Sequence, residues 1–237
     1  MSSKRGDGLE DGDQPRAGHP MQVAIDGPAG AGKSTVAKGV AKALGFIYVD
    51  TGAMYRAVAL RVLRMTGPDA ELDWGETARG VCLEFRQTPT GQHIFMDGED
   101  VEEAIREPQV SDWSSRVSAD PRVRRALTVQ MQRMGRKVSV VMEGRDVGTV
   151  VMPDARLKVF LTAAPEERAR RRTMELAAKG QTVPEAQVLA EIRERDHRDT
   201  TRADAPLVKA ADAVEVDTSG LTPDAVIQRI VALARDC

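Results

Sequence analysis

A glycine-rich stretch near the start of the chain constrains the fold more than any other feature. Residues 27–34 read GPAGAGKS and satisfy the pattern G-x-x-x-x-G-K-[ST]. The stretch follows a short apolar segment, QVAID, and precedes a segment that we predict to be a helix over residues 33–44. A turn between a buried strand and a helix directs backbone N–H groups and the positive end of the helix dipole toward phosphate oxygens. The pattern therefore predicts an α/β fold with a phosphate-binding loop.

Individual residues of this phosphate loop (residues 27–34) have separate predicted roles. We expect Lys33 to reach the β- and γ-phosphates of ATP and the Ser34 hydroxyl to bind Mg²⁺. The predicted ATP-binding residues in and beside the loop are Gly27, Pro28, Ala29, Gly30, Ala31, Gly32, Lys33, Ser34 and Thr35. The alternative interpretation, a glycine-rich turn with a chance lysine, fits poorly with the strand and helix on either side.

Apolar segments alternate with helical patterns along the rest of the chain, which is typical of a parallel sheet covered by helices on both faces. Besides QVAID, we predict core strands in FIYVD, KVSVVMEG, LKVFLTA and AVEVDTS. Residues 66–105 depart from this pattern, because VCLEFRQ and HIFMDGEDV resemble antiparallel strands joined by a turn. We therefore expect one domain over residues 21–237, with core segments 21–65 and 106–237 and an inserted subdomain over 66–105.

Several helix boundaries are marked by their terminal residues. Asp120 and Pro121 provide an N-cap and a first-turn proline, so we predict a helix from there to about Arg136. A basic helix containing the run RARRR follows Pro165, and Gly180 is its expected C-cap. We predict further helices over residues 51–65, 184–199 and 222–236.

Composition excludes several functional classes. The formal net charge is −2 although 30% of the residues are charged, which argues against a surface that binds nucleic acid generally. Cys82 and Cys237 have no spacing typical of a metal site or a disulfide framework. No apolar run reaches the ~18 residues of a membrane span, so we expect a cytoplasmic protein without a membrane partner. Residues 1–20, rich in Gly, Asp and Ser, are expected to form a disordered tail.

The class of phosphate-loop protein follows from what accompanies the loop. We find no N-K-x-D guanine signature with a suitably placed D-x-x-G switch, as a regulatory GTPase would show. A motor-type ATPase should end a core strand in an acidic pair, whereas Glu143 is followed by Gly144. A small-molecule phosphotransferase remains, and such an enzyme needs several arginines to neutralise two sets of phosphates.

Arginines follow two of the predicted core strands. Arg56 comes shortly after FIYVD and Arg145 directly after KVSVVMEG. The carboxyl edge of a parallel sheet would place both beside the phosphate loop. The adjacent Asp146 could bind magnesium, pair with an arginine or accept a hydrogen bond from a base amine, and spacing alone does not choose among these roles. The basic run RARRR could equally be a solvated helix face.

Six segments together resemble bacterial cytidylate kinases. They are IDGPAGAGKST, YVDTGAMYR, SRVSADPRVR, VMEGRDVGTVVMPDA, KVFLTA and RERDHRDTTRADAPL, in the order typical of that family and spanning about residues 23–231. The resemblance implies a nucleoside monophosphate kinase fold with a five-stranded parallel sheet, an inserted monophosphate-binding segment and a helical lid over about residues 165–183. It also implies transfer of the γ-phosphoryl group of ATP to CMP or dCMP, with Mg²⁺ as the cofactor.

The same resemblance implies roles for individual residues. Lys33, Arg56 and Arg145 would be catalytic, and Arg168 and Arg172 of the lid would bind ATP. The residues that would bind CMP are Thr51, Arg56, Ser115, Arg124, Arg145, Asp146, Arg195, Asp199 and Arg202. Among these, Arg56 and Arg145 would hold the phosphate, Arg195 and Asp199 would reach the sugar, and the others would surround the base. Thr51 stands where some members have serine, and Glu143 stands where many have aspartate.

The stretch ERDHRDTTR, residues 194–202, contains three of these residues at helical spacing. Arg195, Asp199 and Arg202 fall at i, i+4 and i+7 and would share one face of a continuous helix. We expect the intervening residues Asp196, His197 and Arg198 to be solvated or to form surface ion pairs.

Other functions remain open from the sequence. The chain could be a related kinase that acts on AMP, GMP, UMP or shikimate. It could also be a non-catalytic protein that binds ATP to regulate a partner, and RARRR alone suggests a nucleic-acid-binding module. Our preferred prediction is a monomer whose partners are ATP and CMP or dCMP.

Overall fold

The computed structural model describes residues 20–65, 73–178 and 180–237. The predicted disordered tail over residues 1–20 lies outside the described residues except for Pro20. The beginning of the predicted insertion, residues 66–72, also lies outside them.

The strands form two separate sheets. In chain order they are β1 (Gln22–Asp26), β2 (Ile47–Asp50), β3 (Leu83–Thr88), β4 (Gly91–Met96), β5 (Glu99–Asp100), β6 (Val140–Gly144), β7 (Leu157–Thr162) and β8 (Val214–Asp217). A five-stranded parallel sheet has the order β2-β6-β1-β7-β8, and β3, β4 and β5 form a small antiparallel sheet. The predicted fold class is confirmed.

Helices cover both faces of the large sheet. In chain order they are α1 (Lys33–Leu44), α2 (Thr51–Met65), α3 (Trp74–Gly80), α4 (Pro108–Val117), α5 (Pro121–Lys137), α6 (Pro165–Ala178), α7 (Glu185–Thr201) and α8 (Pro223–Arg235). The bounds of α1 and α2 agree with the prediction, and Asp120 caps α5 by accepting a hydrogen bond from Arg122 N. The sequence analysis missed α3, α4 and a π-helical turn over Val147–Val151.

Two strand predictions need correction. The segment HIFMDGEDV is not one strand, because Asp97 and Gly98 adopt φ angles of 52° and 89° and turn the chain between β4 and β5. The segment KVSVVMEG contributes a shorter strand than expected, since α5 extends to Lys137 and β6 begins only at Val140.

Alternate residues of β1 direct the packing of the core. Val23 and Ile25 are fully buried in a cluster formed with α1 and α8. Ala24, between them, is buried in a second cluster formed with α2, α4, α5 and the small sheet. Because successive side chains of a strand point to opposite faces, one short apolar strand joins both cores. This burial fixes the strand from which the phosphate loop emerges.

The carboxyl edge of the large sheet brings together predicted site residues that follow different strands. β1 lies between β6 and β7, so the loops after β1 and β6 are neighbours. Such an edge is where ligands bind in open parallel sheets. Among the residues that the structure describes, no helix is long and apolar enough to cross a membrane.

Candidate active site

The backbone of the phosphate loop passes extremely close to β7. A Cβ atom on Gly27, whose φ is +150°, would lie 2.1 Å from the backbone oxygen of Leu161. Neither this conformation nor this distance allows a side chain. Gly27 is therefore required for the turn that carries the chain from β1 into the loop.

Lys33 begins α1 and is almost completely buried, with 6% of its surface exposed. Its Nζ donates a 2.7 Å hydrogen bond to the carbonyl oxygen of Pro28. The pKa of Lys33 is lowered to about 7, mainly because the ammonium group is buried. The positive charges of Arg145 and Arg195 also lower this pKa, and the carboxylates of Glu143 and Asp26 offset their effect only in part. An anionic ligand would reverse this effect, since it supplies the missing opposite charge.

Five arginines from four elements or their ends line the same sheet edge, and we name them the arginine cluster: Arg56, Arg124, Arg145, Arg195 and Arg202. Arg56 contacts Asp50 at 3.1 Å, and Arg145 Nε contacts Asp199 Oδ2 at 2.8 Å. Arg195 forms no ion pair within the described part of the chain. The residue as a whole is exposed, but desolvation of its guanidinium together with the charge of Arg145 lowers its pKa. The cluster has unneutralised positive charge beside Lys33, which suits the binding of phosphate groups.

Asp146 lies between two members of the arginine cluster. Its Oδ2 is 2.5 Å from Arg124 Nη2, and its Oδ1 is 3.4 Å from Arg202 Nη2. Asp146 and Arg124 are both buried, and the Arg124 guanidinium also lies over the Tyr55 ring at 5.6 Å from its centroid. The carboxylate is therefore held in one orientation, with acceptor capacity beyond its ion pairs.

Other predicted base-binding residues occupy different positions. Thr51, at the start of α2, is buried and donates a 2.8 Å hydrogen bond from Oγ1 to the Glu143 carbonyl oxygen. Ser115 is exposed on α4, one turn before Ser118, whose carbonyl oxygen accepts a hydrogen bond from Arg124. The structure records no contact between Ser115 and Asp146, so the role of Ser115 stays a prediction.

Helix α7 extends slightly beyond the predicted end at Asp199 but stops just before Arg202, which changes the proposed functional face. Thr201 is the last helical residue, and Arg202 caps the helix with extended backbone angles. Arg195 and Asp199 therefore share a helical face, but Arg202 reaches Asp146 from outside the helix. Its backbone N–H still donates to the Arg198 carbonyl oxygen, which keeps the turn close to α7.

Glu143 is buried at the end of β6, on the side facing the phosphate loop. Its Oε1 accepts a 2.7 Å hydrogen bond from the Tyr48 hydroxyl, and its charge acts on Lys33. Ser34 is exposed in the first turn of α1, and its side chain forms a hydrogen bond with that of Tyr48.

No group of three or more His, Cys, Asp or Glu side chains in the described ranges could hold a metal ion alone. A hydroxyl with one nearby carboxylate fits Mg²⁺, which retains waters and takes further oxygens from phosphates.

Comparison with known proteins decides the family. The cytidylate kinase family model matches residues 23–236. The chain belongs to the cytidylate kinase family. A cytidylate kinase from Pelotomaculum thermopropionicum is 53% identical over 89% of this chain and 94% of its own length. A cytidylate kinase from Solibacter usitatus is 51% identical over 90% of this chain and 91% of its own length.

A solved structure agrees with this fold at much lower sequence identity. A crystal structure of an uncharacterised protein from Eubacterium ventriosum matches with a TM-score of 0.51 and 13% identity. The match covers 92% of this cytidylate kinase family member and 99% of the other chain. At this level of identity the likeness concerns the fold.

Two arginines that the resemblance assigned to ATP binding lie in different surroundings. Arg168 is 4% exposed and donates to the carbonyl oxygens of Ala163 and Ala29, both at 3.0 Å. Arg172 is about half exposed and pairs with Glu175 at 3.1 Å. The Arg168 guanidinium is bonded to the protein itself, whereas the Arg172 guanidinium is accessible to a ligand.

Sequence analysis missed two carboxylates that organise this cytidylate kinase site. Asp26 is buried at the end of β1 and accepts hydrogen bonds from Val147 N at 2.8 Å and Gly148 N at 2.7 Å. Burial raises its pKa to about 6, although these two bonds lower it in part. The only available signal was an acidic residue ending an otherwise apolar strand directly before the loop.

The second such carboxylate is Asp196, which was expected to be solvated or to form a surface ion pair. Its Oδ2 instead lies 2.7 Å from Arg168 Nη1, and its Oδ1 is buried without a hydrogen-bond partner among the described residues. Asp196 does form an ion pair, but with a buried arginine rather than at the surface, because α6 packs against α7 and covers the side of α7 that carries Asp196. His197 and Arg198 are exposed, as expected.

Proposed function

We propose that the protein transfers the γ-phosphoryl group of ATP to CMP or dCMP and releases ADP with CDP or dCDP. The observation that carries the proposal is the position of Asp146. This buried carboxylate, held by Arg124 and Arg202, lies at the same sheet edge as the phosphate loop. Membership of the cytidylate kinase family and the names of the relatives support it.

The proposed donor site is formed by the phosphate loop. Backbone N–H groups of residues 27–34 would surround the ATP phosphates, and Lys33 would exchange its contact with the Pro28 carbonyl for phosphate oxygens. Ser34 would bind Mg²⁺ directly and Glu143 through water, and the bound ion would neutralise charge on the β- and γ-phosphates. Arg172 is the lid arginine that remains available for ATP.

The proposed acceptor site is formed by the arginine cluster. Arg56 and Arg145 would hold the CMP phosphate while Asp50 and Asp199 orient their guanidinium groups. The phosphate is already a nucleophile at neutral pH, so its transfer needs positioning and charge neutralisation rather than a general base. Arg195, which has no ion pair among the described residues, would reach the sugar together with Asp199.

Base selection would depend on Asp146 and Thr51. Cytosine presents an N4 amine where uracil presents a carbonyl oxygen, and a carboxylate accepts from the amine but repels the oxygen. Arg124 and Arg202 hold the Asp146 carboxylate in a fixed orientation for this purpose. The Thr51 hydroxyl already donates to the backbone, so it would serve as an acceptor. Ser115 would join this pocket when CMP binds.

A coupled assay of ADP release with CMP, dCMP, UMP, AMP, GMP and shikimate tests the proposal. We expect turnover with CMP and dCMP to exceed turnover with every other acceptor by at least about tenfold. A strong preference for another acceptor would assign the protein to a related kinase reaction. Binding of ATP without transfer to any acceptor would favour a non-catalytic regulatory protein. We further expect the active form to be a cytoplasmic monomer that needs only the two nucleotides and Mg²⁺.

A further inference from the structure

Two carbonyl oxygens of the phosphate loop, those of Ala29 and Ala31, are contacted by side chains from outside the loop. The Ala29 oxygen accepts a 3.0 Å hydrogen bond from Arg168 Nη1. The Ala31 oxygen lies 3.4 Å from the Thr218 hydroxyl, which is itself bonded to Arg171 of α6. Helix α6 therefore holds the loop directly at the Ala29 carbonyl group, through Arg168, and reaches the Ala31 carbonyl only through Thr218, whose hydroxyl lies closer to the Thr162 oxygen at 3.2 Å.

Holding a carbonyl oxygen also orients the next N–H group. A trans peptide directs its C=O and N–H bonds to opposite sides, so a fixed Ala29 oxygen directs the Gly30 N–H away from Arg168. The loop binds phosphate through such N–H groups. Gly30 also allows close packing here, because a Cβ atom on it would lie 3.2 Å from Arg168 Cβ.

Arg168 is in turn oriented by a residue of α7. Its guanidinium contacts Asp196 Oδ2 at 2.7 Å, and its Nε donates to the Ala163 carbonyl oxygen at 3.0 Å. The side chains of Arg168 and Asp196 are 4% and 21% exposed, so solvent screens their attraction weakly. A planar guanidinium that is hydrogen-bonded to two carbonyl oxygens and paired with a carboxylate has little freedom to rotate.

We propose that Arg168 and Asp196 form a positioning pair, which holds the Ala29–Gly30 peptide in the orientation that binds the phosphates of the donor nucleotide. Neither side chain needs to contact the nucleotide. Asp196 acts from α7, a helix whose other residues we place at the acceptor site, yet its loss affects the donor. The inference rests on the proposed ATP role of the loop.

The test compares Asp196→Asn with Glu166→Gln in the full-length chain. Glu166 pairs with Arg193 at 2.8 Å and also joins α6 to α7, but this pair is about 60% exposed on both sides. Each variant thus removes one carboxylate from an ion pair between the same two helices. Isothermal titration calorimetry with a non-hydrolysable ATP analogue and Mg²⁺ measures donor affinity, and steady-state kinetics give the KM values for ATP and CMP.

We expect Asp196→Asn to weaken binding of the analogue by about tenfold and to raise the KM for ATP similarly, because a poorly screened ion pair that orients Arg168 is lost. The KM for CMP should change by less than about threefold, a split that a general loss of stability does not produce. Glu166→Gln should match the wild type. Analogue binding within twofold of the wild type in Asp196→Asn would overturn the positioning pair.

A second variant, Arg168→Lys, tests the same pair in case Asp196→Asn fails to fold. Arg168→Lys retains the charge, but one ammonium group cannot reproduce the guanidinium fork to Ala29, Ala163 and Asp196. We expect the same loss of analogue affinity, and the double variant should be no worse than either single variant. Losses that add in the double variant would contradict a shared role. Activity of the unmodified chain on CMP tests the proposed function separately, because analogue affinity does not depend on the acceptor.

Discussion

The phosphate loop and the arginine cluster are adjacent but are built by different means. The loop is eight consecutive residues whose backbone forms the site. Its shape therefore depends on its glycines and on the hydrogen bond from Arg168 to the Ala29 carbonyl oxygen. The cluster consists of side chains far apart in sequence, most of them already paired with carboxylates. Backbone sites therefore fail through conformation, whereas side-chain sites fail through lost charge or lost orientation.

The largest effect should come from a conformational change at the loop. We expect Gly27→Ala to reduce ATP-analogue affinity by more than about 100-fold and stability by about 3 kcal/mol or more, because its Cβ atom would overlap the Leu161 oxygen. Gly220→Ala is the control, since Gly220 also has a positive φ (+69°) but no atom within 4 Å of the added Cβ. Calorimetry and thermal unfolding measure both quantities. Equal effects of the two substitutions would show that backbone strain alone is responsible.

A charge lesion in the arginine cluster should be severe but should leave the loop intact. We expect Arg145→Ala to lower kcat by about 10²- to 10³-fold, since one proposed donor to the CMP phosphate is lost and Asp199 loses its partner. ATP-analogue affinity should change much less than in Gly27→Ala. Arg198→Ala is the matched control, because Arg198 is exposed on α7 and lies 3.9 Å from Glu194. Near-normal steady-state rates in Arg145→Ala would remove this residue from the site.

A change of specificity should follow from the central carboxylate of the cluster. We expect Asp146→Ala to reduce the ratio of kcat/KM for CMP over UMP by about 10- to 100-fold, more than it reduces turnover at saturating CMP. The variant also leaves the buried Arg124 without its closest carboxylate, so thermal unfolding should accompany the assay. Proportional losses for both acceptors would contradict a role in reading the base.

The smallest expected effect is the uptake of one proton by Lys33, which lies between the phosphate loop and the arginine cluster, when ATP binds. Because the pKa of Lys33 is lowered to about 7 without a ligand, it is mostly neutral at pH 8 and mostly charged at pH 6. Phosphates raise this pKa, so ATP-analogue binding should take up nearly one proton at pH 8 and far less at pH 6. Calorimetry in buffers of different ionisation enthalpy measures the uptake. The same uptake at both pH values would show that Lys33 is charged before ATP binds.

The predictability of the site differs between these two regions for a physical reason. The roles of Lys33 and Ser34 follow from a contiguous pattern, since backbone turns and helix starts are local structures. The pair Arg145–Asp199 spans 54 residues and the pair Arg124–Asp146 spans 22. No local pattern states which arginine meets which carboxylate. Arg56 and Arg145 lie at the sheet edge as predicted. That prediction required only the positions of the strand ends and no knowledge of which carboxylates the two arginines contact.

The element order was also largely predictable, and the exceptions are instructive. Hydrophobic alternation and caps located the five core strands and most helices. Helices α3 and α4 were missed because their sequences, WGETARG and PQVSDWSSRV, have few apolar residues and are stabilised by packing, as in the contact between Trp74 and Trp113. The π-helical turn after Asp146 is held by Asp26, which lies 121 residues away from Val147.

By itself the sequence determined the phosphate loop, the α/β class and the family, because these depend on contiguous motifs and on the order of apolar segments. Only the tertiary structure decided how the charges pair. Asp196 stands in a stretch that looks solvated, yet the packing of α6 on α7 joins it to Arg168 and to the back of the loop. Burial and partner choice arise when helices pack, and a local charge pattern contains no information about that packing.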